Sequence, residues 1–470
     1  MINRIQIWLG NKSLFLGVLA AVLSFCYVVT RAVYVPPFCD EVTTYFDFII
    51  SSNFLPPTAK LDANNHLLNS FLTRVSIFIF GDSALSLRLP NILAYLVFLG
   101  YGFRFKKHFQ NKDLWLAWMV AFLSSLYFIT FFQLARGYGL SMAFFLASIY
   151  HLINLKQNVS WVNITATAGF AILAVTANLS LIFPIALIGL MLTIRIITSD
   201  GANGKKTSQI VALGLGFGTV LLLLTWHLLE LKNGGKLYYG GTIGFWKDSI
   251  ERSAVLMLDS ESLGQGLSYL LALGILLLPV IHFKKNRKRA LKTIQFLLLG
   301  SVGLTLSAHF ILDVKFPVDR AALHFLLLGL SLWFLEIDRA DSSLLRAFGW
   351  LPTFIFLITG CYQANTSYSL LWKTVAVPTE FYEHIRNWQN ENTTPTISAH
   401  GLNLTNLTYL NRKHKDWLLE SNPNWPNKTS DFILTDESLK DQSFPNYDTI
   451  FYSKHTSLAL LQRRAPINWR

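Results

Sequence analysis

The chain has 470 residues, 52% of them hydrophobic and only 14% charged, at a mean hydropathy of +0.40. That composition excludes an ordinary soluble enzyme, and apolar runs recur at the length needed to cross about 30 Å of hydrocarbon. The formal net charge of +13 does not signal nucleic acid, because the basic residues gather in short links between apolar runs. These links are FRFKKHFQNK at 103–112, GKK at 204–206 and HFKKNRKRALK at 282–292, a positive-inside pattern that assigns them to the cytoplasm.

In chain order, the first apolar run, NKSLFLGVLAAVLSFCYVVTRAVYV at 11–35, is followed by no small-residue cleavage site. It reads as a retained anchor rather than a signal peptide. Next comes PPFCDEVTTYFDFI at 36–49, where Asp40 and Glu41 stand side by side just past the outer end of a span. Two carboxylates so near a bilayer are expensive unless they serve a watery cleft or hold a counter-charge. An amphipathic segment, Pro56 and Pro57, and then NNHLLNSFLTRV at 64–75 follow, so His66 opens another apolar helix. The segment reads as a folded lip on the membrane surface.

Apolar runs near 13–34, 84–103, 114–132, 137–155, 160–177, 179–197, 209–229, 266–283, 293–312, 321–337 and 348–364 give about eleven spans. The N-terminus is then cytoplasmic, and 35–83, 230–265 and the tail lie outside. Residues 230–265 carry Gly pairs at 234–235 and 240–241 and aromatics at 238, 239, 245 and 246. That suits either a loop at headgroup level that orders on substrate or a plain connector. From about 365 the composition turns polar. EFYEHIRNWQNEN behind Pro378 reads as a helix, and TISAH at 396–400, DFILTD at 431–436 and 449–464 read as strands. The expected fold is therefore a polytopic all-α membrane protein with a small C-terminal extracytoplasmic α/β domain. Residues 1–364 form the transmembrane domain and 365–470 the outer one. Asn403, Asn406 and Asn427 stand in Asn-x-Ser/Thr sequences, relevant only in a secretory eukaryotic host. Cys26, Cys39 and Cys361 make no zinc signature, and a Cys39–Cys361 disulfide is left open.

Several charges need an explanation. Arg136, in FQLARGYGLSMAFF, is either snorkelling or contacting an anion. Arg320 shares a short outer loop with Lys315 and Asp319, in KFPVDRAALHFLLLG. Arg88, just before Pro90, suits an architectural role, and Arg74 on the flank of the first outer loop is ambiguous. If Arg136, Arg320 and Lys315 converge, they form a cationic pocket suited to a phosphate at the membrane face, which the planar guanidinium fork matches. One carboxylate of the acidic pair then takes a proton from an acceptor hydroxyl as it attacks a sugar carbon. The lipid phosphate leaves as a stable anion and needs positive charge rather than an acid donor. A conventional glycosidase would instead need two carboxylates placed across the sugar.

In this order and spacing, DE at 40–41, His66 before an apolar helix, GDSALSLRLP at 81–90, ARGY at 135–138 and PVDR at 317–320 resemble the GT-C class of membrane glycosyltransferases. The branch is that of the dolichyl-phosphate-mannose protein mannosyltransferases and the bacterial aminoarabinose transferases, and the resemblance spans roughly residues 10–335. It implies Asp40 as general base with Glu41 as orienter or acceptor ligand. It implies Arg136 and Arg320, with Lys315, on the lipid phosphate, and His66, Arg74 and Tyr138 as candidate cleft residues. It implies a polyprenyl-phosphate-linked sugar donor, a protein, lipid or glycan hydroxyl as acceptor, membrane lipid but no nucleic acid as partner, and a place in the bacterial inner membrane. No cofactor is expected: there is no clean D-x-D, and a monophosphate donor held by arginines does not require a divalent ion. The chain lacks the inserted sugar-binding repeat domain of the eukaryotic mannosyltransferases, and fewer spans and a different tail are expected than in the aminoarabinose transferases. The rival readings are a flippase, a transporter, a polysaccharide ligase or a noncatalytic scaffold.

Overall fold

A computed structural model describes residues 2–155, 160–200, 202–281, 289–388, 394–399, 401–413, 420–422, 429–436 and 444–464. The chain packs as two compact units, one of residues 1–29 and 53–364, the other of residues 30–52 and 365–470.

The first unit is helical. Among the described residues eight helices are long and apolar enough to cross a membrane: Lys12–Tyr34, Ala84–His108, Leu179–Ile197, Asn203–Asn233, Glu261–Leu278, Arg289–Leu312, Asp319–Ile337 and Ser343–Gln363. The chain is thus a multi-pass membrane protein. The remaining three expected spans are carried by shorter helices. Gly137–Ile153 and Trp161–Ala177 have 17 residues each, about 25 Å at 1.5 Å per residue, less than the ~30 Å hydrocarbon core. The expected span at 114–132 is broken at Ser125, whose ψ of 98° ends Lys112–Ser124 and whose hydroxyl accepts from Phe128 N at 3.4 Å to start Leu126–Thr130. Most of the basic link at 282–292 lies outside the described residues.

Burial sorts these helices. In the most apolar stretch of Asp319–Ile337, 83% of the residues are buried, against 22% in Asn203–Asn233 and Glu261–Leu278, so the first is central and the other two present their sides to lipid. Around the central helix the large aromatics Trp115, Trp118 and Trp333 are fully enclosed. Their indole N–H groups still need acceptors when buried. Trp115 donates to Gly102 O and Trp118 to Ser331 Oγ, both at 3.0 Å.

The second unit joins the acidic segment to the tail. A five-stranded sheet runs in the order β2-β1-β3-β5-β4, with β1 Thr396–Ala399, β2 Glu420–Asn422, β3 Phe432–Asp436, β4 Tyr447–Ser453 and β5 Leu458–Arg463. β1 lies parallel to β2 and β3, and β5 antiparallel to β3 and β4. The run expected as one strand at 449–464 is a hairpin, while helix Gly401–Lys413 went unread. Asn403 and Asn406 are buried on that helix, so neither can carry a glycan; Asn427 lies outside the described residues. None of the three cysteines forms a disulfide.

Asp40 and Glu41 occupy the first turn of the six-residue helix Cys39–Thr44. So short a helix has no stability of its own, and its neighbours from the tail supply it. Phe38, ahead of its first turn, stacks on Trp372 with ring centroids 3.7 Å apart, and Tyr45, just after it, meets Tyr409 edge-on at 5.1 Å. Arg31 donates to the carbonyls of Asn365 and Tyr368 at 2.5 and 2.9 Å, and helix Gly401–Lys413 packs on Cys39–Thr44. Burying Phe38 and Tyr45 is worth about 1.5–3 kcal/mol each. Truncation after residue 364 should therefore unfold residues 36–50 while leaving the helical unit inserted. Limited proteolysis of the truncated protein checks this; an acidic segment as protected as in the full chain would contradict it.

Candidate functional site

Arg136 is the residue before helix Gly137–Ile153 and is 1% exposed. Its Nη1 donates to Asn64 O at 3.2 Å and its Nη2 to Asn64 Oδ1 at 2.6 Å. The turn that carries it is held by a buried amide chain. Asn69 Nδ2 donates to Ala135 O at 3.0 Å, Asn91 Nδ2 donates to Asn69 Oδ1 at 2.8 Å, and Asn91 Oδ1 accepts from Leu140 N at 3.1 Å. Gly137 is required here, because a Cβ would lie 1.8 Å from Ala177 O and 2.8 Å from His66 Nδ1.

His66 precedes helix Leu67–Phe80 and is 5% exposed. Its Nδ1 lies 2.8 Å from Ala177 O, and its ring meets that of Tyr138 edge-on with centroids 4.7 Å apart. Burial, reinforced by the positive charge of Arg136, holds its pKa well below the ordinary value, so the imidazole is neutral at pH 7.

Tyr138 links this group to the second arginine. Arg320, half-buried in the turn Asp319–Ala322, donates from Nε to Tyr138 Oη at 3.1 Å and from Nη1 to Tyr239 Oη at 3.5 Å. The guanidinium carbons of Arg136 and Arg320 lie 5.8 and 6.0 Å from the Tyr138 ring centroid, so both flank one ring. Asp319, beside Arg320, is committed elsewhere. It accepts from Arg252 Nε at 2.6 Å and from the Tyr239 hydroxyl. Burial raises the Tyr239 pKa, keeping the phenol protonated as the donor of that bond.

Lys315 is exposed and donates from Nζ to Tyr238 O at 2.7 Å, a bond that fastens a loop. Gly241 and Phe316 exchange two backbone hydrogen bonds at 2.9 and 3.0 Å, Ser249 Oγ donates to Pro317 O at 2.6 Å, and Asp248 Oδ2 accepts from Ile243 and Gly244 N–H. The outer segment at 230–265 is thus folded onto the PVDR turn. Arg74, half-buried two turns beyond His66, takes part in none of these bonds, and Arg88 is fully buried. Asn64, Asn69, Asn91 and Arg252 escaped the sequence reading, and Tyr239 enters it only as one of the aromatics of the outer segment at 230–265. Polar residues at helical spacing in NNHLLN and LRLPN were the available signal.

In the second unit the acidic pair divides. Glu41 is 0% exposed and its Oε2 accepts from Phe38 N at 3.4 Å, closing the first turn of the helix, whereas Asp40 is half-buried. Among the described residues no group of three or more His, Cys, Asp or Glu side chains could hold a metal ion.

No family model matches the chain, and no curated protein matches it by sequence. Solved structures do. ArnT from Cupriavidus metallidurans in the apo state is 11% identical with a TM-score of 0.51, over 96% of this chain and 98% of that one. The same protein bound to undecaprenyl phosphate is 12% identical at a TM-score of 0.44, over 97% and 99%. The arabinofuranosyltransferase AftD from Mycobacteria is 12% identical at 0.45, over 96% of this chain but 40% of its own. The chain has the fold of the aminoarabinose transferase ArnT, the GT-C fold that its motifs resemble.

Proposed function

We propose that the protein is an integral membrane glycosyltransferase that moves a sugar from a polyprenyl-phosphate donor to a hydroxyl of a protein, lipid or glycan at the outer face of the bacterial inner membrane. The observation that carries this reading is that Arg136 and Arg320 flank one tyrosine ring. Two permanent cations flanking one ring favour an anion beside them. Asn64, Tyr138 and Tyr239 orient the two guanidinium groups through neutral acceptors, and a phosphate is the anion whose geometry the planar fork matches. The ArnT-like fold supports the same class of reaction.

In this reading the acceptor oxygen attacks the anomeric carbon, and the bond from that carbon to the phosphate oxygen breaks. The polyprenyl phosphate departs with both bonding electrons, and Asp40 takes the acceptor's proton. Glu41, enclosed and tied to Phe38 N, holds the start of the helix that carries Asp40. The arginines neutralise the leaving phosphate without a divalent ion. Lys315 contributes by fastening the loop that bears Tyr239.

Replacing Asp40 with Asn keeps size and removes the base, so transfer from a short-chain polyprenyl-phosphate sugar should fall by roughly 10²–10⁴-fold while donor binding survives. Glu41→Gln should be milder. Turnover and release of free polyprenyl phosphate by the purified protein measure both, and that release also separates a transferase from a flippase. Wild-type turnover in Asp40→Asn would remove Asp40 from the chemistry.

Arg136→Ala or Arg320→Ala each removes a charge-assisted contact of about 1.5–3 kcal/mol, or roughly 10–100-fold in donor affinity. Lysine at either position should recover only part of it, because the fork is lost. Titration with donor in chelator-treated protein checks the affinities and the metal independence together. Unchanged affinity in both alanine variants would move the phosphate elsewhere, and activity that returns only on adding a divalent ion would refute the metal-free reading.

A further inference from the structure

The proposed donor pocket contains an atom that the phosphate reading leaves without a task. A carbonyl oxygen only accepts, so the 2.8 Å contact of His66 Nδ1 with Ala177 O fixes the imidazole proton on Nδ1. The other nitrogen, Nε2, then carries a lone pair and no proton. It is buried and, among the described residues, has no hydrogen-bond partner. Such an orphan is costly in a native fold and calls for an occupant. The ring is also held in place: Gly137 lets the Ala177 carbonyl and His66 close up against the Arg136 turn, and the Tyr138 ring packs against it at 4.7 Å.

The chemistry of that lone pair is selective. A phosphodiester oxygen has no proton to give, and lone pair against lone pair repels. A hydroxyl can donate. Beside two arginines that would take the phosphate, an acceptor-only nitrogen therefore fits the hydroxyl-bearing part of the ligand. We propose that His66 Nε2 accepts a hydrogen bond from a sugar hydroxyl of the donor, making the Arg136–Arg320 pocket discriminate a sugar-loaded polyprenyl phosphate from the bare lipid phosphate. This rests on the glycosyltransferase reading. It adds a role the arginines cannot play, since they bind substrate and product phosphate alike. The product, a phosphate monoester, is dianionic at pH 8 and offers Nε2 no proton, so His66 would hold the donor and release the spent carrier.

Two substitutions separate this role from a structural one. In His66→Asn the side-chain amide can replace Nδ1–H as donor to Ala177 O, but no atom reaches the position of Nε2. His66→Phe removes both. Binding of a polyprenyl-phosphate hexose and of the same polyprenyl phosphate without sugar is measured at pH 8, on full-length protein in nanodiscs. The wild type should prefer the hexose-bearing lipid. His66→Asn should weaken that lipid roughly tenfold and leave the bare phosphate unchanged, so that the preference ratio collapses. His66→Phe should lose the same preference and some thermal stability as well.

Equal weakening of both lipids by His66→Asn would make the residue structural, and an unchanged ratio would place the sugar elsewhere; either overturns the inference. Arg136→Ala and Arg320→Ala, run in parallel, should weaken both lipids together. If bare polyprenyl phosphate ignores both arginine variants, the phosphate reading itself fails, an outcome distinct from failure at His66.

Discussion

A guanidinium buried in an apolar helical unit costs several kcal/mol unless its donors are met, and Arg136 is 1% exposed. Much of the buried polar content nearby is arranged around that fact. Asn64 supplies two acceptors, while Asn69 and Asn91, both fully buried, hold the backbone on either side of the arginine rather than the arginine itself. The amides fix the turn, the turn fixes the side chain, and Tyr138 two residues on carries its position across to Arg320. A buried chain of hydrogen bonds of this kind stiffens the turn it holds.

The second arginine depends on a strained turn. Asp319 has φ 49°, left-handed for a residue with a Cβ, a conformation costing roughly 1–2 kcal/mol. Its carboxylate is offset by bonds from Arg252 and Tyr239, and the loop that bears those two partners is pinned to the same turn by Lys315, Ser249 and the Gly241–Phe316 bridge. Arg320 is therefore aimed by contacts its own loop cannot make. The polar stretch between two spans, which sequence alone leaves as a connector or an ordering loop, forms one wall of the arginine group.

What the sequence discloses follows from the range of the forces involved. Apolar runs, basic links and Asp–Glu adjacency are local, and they lead to a polytopic helical protein of GT-C type with a small α/β tail. Ser125 interrupts an apolar run that hydropathy reads as continuous, because a single ψ of 98° leaves no mark on composition. The hairpin at 447–463 turns through Lys454 to Ser457 without Gly, Pro or Asn, so its strands read as one. The helix Gly401–Lys413 is rich in Asn and Thr, weak helix formers, and it forms because Leu407, Tyr409 and Leu410 are buried. Of the site, the two arginines are legible as charges in unexpected places, and His66 as a histidine opening an apolar helix. Their supporting asparagines were not, since a buried amide and a surface amide are the same letter.

The acidic pair shows the same limit most sharply. Successive residues of a helix point about 100° apart, so one of Asp40 and Glu41 must face inward and the other toward solvent. Which is which depends on the phase of a six-residue helix, and that phase is set by Phe38 against Trp372 and Tyr45 against Tyr409, partners that lie beyond the whole transmembrane stretch in sequence. The result gives each carboxylate a different environment. Glu41 is enclosed and its Oε2 is engaged by Phe38 N. Asp40 keeps contact with solvent and has its backbone held by Thr44 Oγ1 at 2.8 Å. The general base proposed above needs access and a fixed origin at once. The adjacent glutamate, by closing the first turn of the helix, supplies the second condition for the aspartate that meets the first.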